Sequence, residues 1–356
     1  MSLESLVRDR RIIVCGGSGG VGKTTTAAVL AMRAAEEGRR AVVVTIDPAK
    51  RLADALGLGD LTNEASRVDG LWPGELWAMM LDTKSTFDAL VAKHAADEDQ
   101  LQRILANRFY KNISGALSGT QEYMAMEKLY ELAEETDFDL IVVDTPPTRN
   151  ALDFLDAPAR LSRFLDHRLY RLMTAPNRGV LRAVNMATQT FIRTVARVVG
   201  ADVIDDAVAF FQAFDGMEEG FKRRAERVAQ RLRDADSAFV LVASPRRDTI
   251  EEATFFAEKL LEGGIEVDAL VVNRMHPRFG EGLAEATRER AASLEGTAVG
   301  VLFRNLADFQ LVASREEENL AGLAERVAPA PLIRVPFLRS DVHDLDGLRQ
   351  IEAELF

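Results

Sequence analysis

Gly17-Ser18-Gly19-Gly20-Val21-Gly22-Lys23-Thr24-Thr25 is the stretch that decides the fold. It follows an apolar run, Ile12-Ile13-Val14-Cys15, and opens a helix-like segment from Thr24 to about Glu37, which Gly38 stops. The order strand, glycine loop, helix separates a phosphate-binding loop of pattern G-x-x-x-x-G-K-T from an ordinary glycine-rich turn. Glycines let successive backbone N–H groups converge on phosphate oxygens, and the helix N-terminus adds a favourable dipole. Lys23 is expected to reach the β- and γ-phosphates of a nucleotide, and the Thr24 hydroxyl to ligate Mg²⁺.

Outward from this loop, apolar runs recur at Ala41–Ile46, Leu76–Leu81, Leu140–Val143, Phe239–Ala243, Ala269–Val272 and Leu332–Val335. Together with Arg11–Cys15 they predict a sheet buried on both faces, hence a mostly parallel α/β fold flanked by helices. Gly263 and Gly264 mark a further helix stop. Two stretches without strand signals, about 85–136 and 157–235, read as helical insertions. In the second, Leu181, Val184, Thr188, Phe191, Val195 and Val198 recur at helical intervals, as do Ile204, Val208, Phe211, Phe214, Met217 and Phe221. Such stripes serve either as core packing or as a Met- and Phe-bearing groove for an apolar partner.

The 356 residues are 47% hydrophobic and 28% charged, enough to bury a large core. Length alone suggests two domains, yet the nucleotide motifs run from Gly17 to Phe337, so the expectation is one domain over 1–356 with helical insertions. A net charge of −12 disfavours DNA and anionic lipid as partners. No apolar run approaches the ~18 residues of a membrane span, and residues 1–10 lack an apolar signal core. The single cysteine, Cys15, allows no intrachain pair, which fits a reducing cytoplasm. The four histidines, His94 and His167 among them, show no metal-ligand spacing.

Two carboxylates stand at strand ends, where open α/β sheets bind ligands. Asp47 begins Asp47-Pro48-Ala49-Lys50-Arg51; it either orients an attacking water against a γ-phosphate or caps a helix. Asp144 ends Leu140-Ile141-Val142-Val143, the pattern of a carboxylate that holds Mg²⁺ or its water. Thr145-Pro146-Pro147-Thr148-Arg149-Asn150 then forms a stiff loop suited to sensing the γ-phosphate. Asn273 follows Ala269–Val272, and its amide suits an adenine edge, although a loop asparagine is more often a turn former. Pro336-Phe337, after the last run, is expected to pack on the base.

Taken in order, Gly-Ser-Gly-Gly-Val-Gly-Lys-Thr-Thr, Asp-Pro-Ala, Asp-Thr-Pro-Pro-Thr and Val-Val-Asn resemble the ArsA/Get ATPase family, from Arg11 to about Gly347. That family includes the arsenite-pump ATPase and the factor that delivers tail-anchored membrane proteins. It belongs to the deviant-Walker class of MinD, ParA and the nitrogenase iron protein. The resemblance implies ATP and Mg²⁺ as ligands, with Gly17, Ser18, Gly19, Gly20, Val21, Gly22, Lys23, Thr24 and Thr25 as the phosphate loop. It implies Asp47 as the residue that polarises the hydrolytic water and Asp144 as the Mg²⁺ carboxylate. Asn273, Pro336 and Phe337 would contact adenine. Gly119-Thr120-Gln121-Glu122-Tyr123 matches the family's glycine-acid segment. The helical insertions would form a client groove in a dimer.

Three departures stand out. The family's signature lysine is Ser18, so its contact across the dimer is lost; Arg149, Arg51 or a paralogous partner chain could replace the charge. The zinc-binding Cys-x-x-Cys is missing from the Arg274–Gly280 region. The cysteines of a metalloid site are missing as well. The switch loops, with Lys50-Arg51 and Arg149-Asn150, are more basic than in eukaryotic relatives.

The leading expectation is therefore a cytoplasmic Mg-dependent ATPase, a homodimer or a heterodimer with a paralogue, that couples nucleotide state to an apolar client such as a membrane-protein segment. Alternatives are the ATPase subunit of an arsenite or other anion pump, a nucleotide-gated binding module with little hydrolysis, and a positioning ATPase like MinD or ParA. The last is disfavoured by the acidic C-terminus, Gly347–Phe356.

Overall fold

Each of the seven apolar runs becomes a strand. The computed structural model describes residues 2–46, 51–113, 120–146, 201–213, 217–280 and 282–356. Its strands are β1 (Ile12–Gly17), β2 (Arg40–Thr45), β3 (Ser66–Arg67), β4 (Glu75–Met80), β5 (Leu140–Asp144), β6 (Ser237–Ala243), β7 (Ala269–Met275) and β8 (Leu332–Pro336). They form one sheet in the order β3-β4-β2-β5-β1-β6-β7-β8, parallel throughout except for β3 with β4. The short antiparallel β3 has no counterpart in the apolar pattern, because two edge residues, Ser66 and Arg67, bury no apolar face.

Among the described residues the helices are α1 (Leu3–Asp9), α2 (Lys23–Glu36), α3 (Arg51–Ala55), α4 (Thr83–His94), α5 (Glu98–Ala106), α6 (Arg108–Ile113) and α7 (Thr120–Glu135). They continue with α8 (Ala201–Ala213), α9 (Glu218–Arg231), α10 (Arg247–Glu262), α11 (Ala284–Ser293), α12 (Ala298–Arg326) and α13 (Leu345–Leu355).

The chain divides into two compact units. The first, Met1–Met80, Phe138–Leu152 and Arg233–Phe356, contains the sheet. β1, β5 and β6 are buried along their whole length, as parallel strands covered on both faces must be. The small residues Ala27, Ala28, Ala31, Ala34 and Ala35 let α2 approach the sheet closely, and all five are fully buried. Leu348, Ile351 and Leu355 of α13 join the same core.

The second unit, Leu81–Asp137 and Asp153–Leu232, is helical among its described residues. Tyr110 stacks on Phe210 at 5.9 Å between ring centroids, and Met124 and Met126 are buried. α9 is tied to α7 by charge: Arg224 pairs with Glu127 and Glu135, and Arg231 with Glu134. Of the second expected stripe, Met217 is buried and Val208 half-buried. The Leu181–Val198 stripe, Phe214 and the side chains of Ile204, Phe211 and Phe221 lie outside the described residues. Among the described residues, the large apolar side chains that are exposed all belong to the first unit, including Phe279, Leu302 and Phe309. No described helix is long and apolar enough to cross a membrane.

Candidate nucleotide and magnesium site

The expected site residues that are described lie at the carboxyl ends of β1, β5, β7 and β8, and the end of β2 adds Thr45. β1 lies between β5 and β6, and the chain runs to one side of it through β2 and β4 and to the other through β6, β7 and β8. Such a reversal opens a crevice at the strand ends, the usual ligand position in open α/β sheets.

The phosphate loop leaves β1 at Gly17, whose φ is +151°; a Cβ there would lie 2.1 Å from the Val242 carbonyl oxygen of β6. At the far end Gly22, with φ +103°, is the N-cap of α2, and a Cβ on it would meet the Asn273 amide nitrogen at 2.2 Å. Only glycine satisfies both the backbone angle and the space at these two points. Between them Gly19 and Gly20 are exposed, while Val21 is buried and anchors the loop. The Lys23 ammonium, buried, donates to the Ser18 carbonyl at 2.8 Å, curling the chain back over its own start. Ser18 is itself buried, and Thr24 and Thr25 are half-buried on the first turn of α2.

Asp144 is the polar centre of the site, 1% exposed. Its Oδ2 accepts from the Thr24 hydroxyl at 2.7 Å and from the Thr45 hydroxyl at 3.0 Å. Strand pairing sets this up: Asp144 is level with Cys15 on β1 and Thr45 on β2. Thr145 then donates to the Cys15 carbonyl at 2.8 Å, fixing the exit from β5. A carboxylate and two hydroxyls are an all-oxygen set, which fits Mg²⁺, a hard cation bound through one or two carboxylates with the rest of its shell from water and phosphate. Thr45 carries no signal in the sequence, since a threonine ending a β-rich run reads simply as strand.

Asn273 lies close to the phosphate loop. Its Nδ2 donates to the Val21 carbonyl at 2.9 Å, and its Oδ1 accepts from the Arg274 N–H at 2.9 Å. Pro336 is level with Met275, and the Phe337 N–H donates to the Met275 carbonyl at 2.7 Å. The Phe337 ring, 58% exposed, is stacked on His276 at 6.0 Å with 19° between planes. Glu316 of α12 holds that histidine twice, at 2.8 Å through its backbone N–H and at 2.6 Å through Nδ1. The result is a partly exposed aromatic pair just beyond the end of β7. His276 and Glu316 were not legible as part of it, because their contact spans 40 residues.

Asp47 lies outside the described residues, as do Lys50, Arg149 and Asn150. Arg51 opens α3 and is exposed. Cys15 is fully buried in β1, and burial pushes its thiol far above the ordinary range.

Comparison with known proteins adds to this geometry. Residues 10–292 match the model of a family described as anion-transporting ATPase, ArsA type. The chain is 27% identical over 278 residues to the ATPase get3 of Aspergillus terreus, covering 77% of this chain and 76% of that protein. It is 27% identical over 264 residues to the ATPase GET3 of Malassezia globosa, covering 74% and 72%. The ATPase ASNA1 homolog of Cryptosporidium parvum is 27% identical over 277 residues, covering 77% and 68%.

Proposed function

The chain belongs to the anion-transporting ATPase family, and on that premise we propose that it is a Mg-dependent ATPase that works as a dimeric switch for an apolar client. The observation that carries the reading is the Thr24–Asp144–Thr45 oxygen cluster, whose Thr24 directly follows buried Lys23 at the start of α2.

In this reading the N–H groups of the glycine loop and the α2 N-terminus bind the phosphates of ATP. Lys23 leaves the Ser18 carbonyl for the β- and γ-phosphate oxygens. Thr24 and Asp144 would hold Mg²⁺, which when bound would supply charge neutralisation for the phosphates. Thr45 keeps the Asp144 carboxylate oriented. Asp47, one residue beyond Ile46, accepts a hydrogen bond from water and aims it at the γ-phosphorus. The new P–O bond forms as the bond to the β–γ bridging oxygen breaks, giving ADP and phosphate, with the water's proton released to solvent. Phe337 and His276 offer a face for the base.

The switch and client follow from family resemblance and from the helical second unit with its Met- and Phe-containing interior. A membrane-protein segment is the client class we assign, on the resemblance to the ArsA/Get family, which includes the factor that delivers tail-anchored membrane proteins. An arsenite site is disfavoured, because soft metalloids need accessible thiolates and Cys15 is buried. A second reading, nucleotide-gated binding with slow turnover, is favoured by one observation: Ser18 is buried and brings no charge to the loop.

Titration with labelled ATP, paired with light scattering, tests the proposal. Mg-ATP should bind the native chain and raise its mass to that of a dimer, and Lys23→Ala should abolish both. Tight binding with unchanged mass would remove the dimeric switch.

A further inference from the structure

Two consecutive residues at the end of β7 reach the same loop. Asn273 donates to the Val21 carbonyl at 2.9 Å, and Arg274 Nη1 donates to the Gly20 carbonyl at 3.2 Å. In a regular strand neighbouring side chains point to opposite faces. Here the register with β8 slips: Val272 is level with Arg334 but Met275 with Pro336, so β7 holds one extra residue. Bulges of this kind re-aim side chains beside functional sites. Arg274 takes up the irregularity with φ +65°, the one described non-glycine residue at positive φ. Strain of this kind is unfavourable for an arginine, and glycine or asparagine would meet the backbone demand more readily.

The contacts have a directional consequence. Across a planar trans peptide the C=O and the following N–H point in opposite directions. Turning the Gly20 carbonyl toward Arg274 therefore turns the Val21 N–H away from it. Turning the Val21 carbonyl toward Asn273 does the same for the Gly22 N–H. Convergent N–H groups of this sort make an anion cradle. Arg274 is also exposed and makes no ion pair among the described residues, so a positive charge lies beside Gly20.

We propose that Arg274 is a positioning residue for nucleotide binding: it presets the Val21 N–H through the Gly20 carbonyl and adds a positive charge to that of Lys23 at the phosphate loop. The inference rests on the nucleotide reading above and adds to it a residue that lies 254 positions from its loop partner in the chain.

Arg274→Asn and Arg274→Lys test it. Asparagine tolerates the left-handed backbone, so its melting temperature should match the native chain's, yet it removes the guanidinium. Calorimetric titration with Mg-ATP should give affinity about tenfold weaker for Arg274→Asn, the size of a lost charge-assisted hydrogen bond. Arg274→Lys should fall between the two, and the native chain's salt dependence of binding should flatten in Arg274→Asn. Equal affinity of native and Arg274→Asn chains would overturn the role of Arg274 alone. A native chain that binds no Mg-ATP would overturn the nucleotide reading and this inference with it.

Discussion

The Thr24 hydroxyl donates to the Asp144 carboxylate at 2.7 Å, joining residues 120 positions apart. The bond links the first turn of α2 to the end of β5, and Thr45 adds a third oxygen from β2. Thr45→Val keeps the volume of this buried side chain and removes only the hydroxyl. The Mg²⁺ concentration for half-maximal phosphate release should rise about tenfold, the usual effect of losing an orienting partner. Asp144→Asn should raise it further. An unchanged Mg²⁺ requirement in both would detach this cluster from the metal.

In the second unit, half-buried Arg224 pairs with buried Glu127, 12% and 5% exposed, and with Glu135, its guanidinium over the Tyr130 ring at 4.2 Å. Removing one partner leaves a buried charge uncompensated. Arg224→Ala should destabilise by about 3–5 kcal/mol, whereas the double change Arg224→Met with Glu127→Leu should cost much less. Chemical denaturation of both variants reads the difference. Equal losses would mean that packing rather than charge governs this contact.

Glu352 of α13 meets Glu36 and Arg33 of α2, and burial, then a hydrogen bond shared with Glu36, push its carboxyl up from 4.5 to about 7. The folded protein therefore keeps a proton that the unfolded chain releases. The associated stabilisation is complete below pH 4.5 and is lost as pH rises through about 7. Glu352→Gln mimics the protonated carboxyl at every pH, so its thermal stability should decline less across that window than the native chain's. Parallel declines would show that Glu352 carries no such proton.

Cys15 offers a probe of the core beside the loop. Buried in β1, with its thiol pushed up by burial, it should resist a thiol reagent in the native state and react on unfolding. Its labelling rate should follow global unfolding in denaturant. Fast labelling under native conditions would indicate local opening of β1.

The strands were legible because a sheet covered on both faces needs near-continuous apolar runs, and Ile12–Cys15, Leu140–Val143 and Ala269–Val272 supply them. The loop from Gly17 to Thr25 was legible because chemistry and backbone geometry demand the same residues in the same order. β3 was hidden, since Ser66 and Arg67 bear no apolar signal. Thr45, Arg274, His276 and Glu316 were hidden for another reason: their placement arises from strand register, a bulge in β7 and a contact with a distant helix. None of these leaves a local pattern. Asn273, expected at the adenine, bonds to the Val21 carbonyl of the phosphate loop. The expected roles of Asp47 and Arg149 fall outside the described residues.

The central claim is that this chain hydrolyses ATP at the Gly17–Thr25 loop. Steady-state phosphate release from the purified protein with Mg-ATP, alongside Lys23→Ala and Asp47→Asn, tests it most directly. The account predicts turnover by the native chain, none by Lys23→Ala, and strongly slowed turnover by Asp47→Asn with ATP binding retained. Turnover that survives in both variants would contradict it.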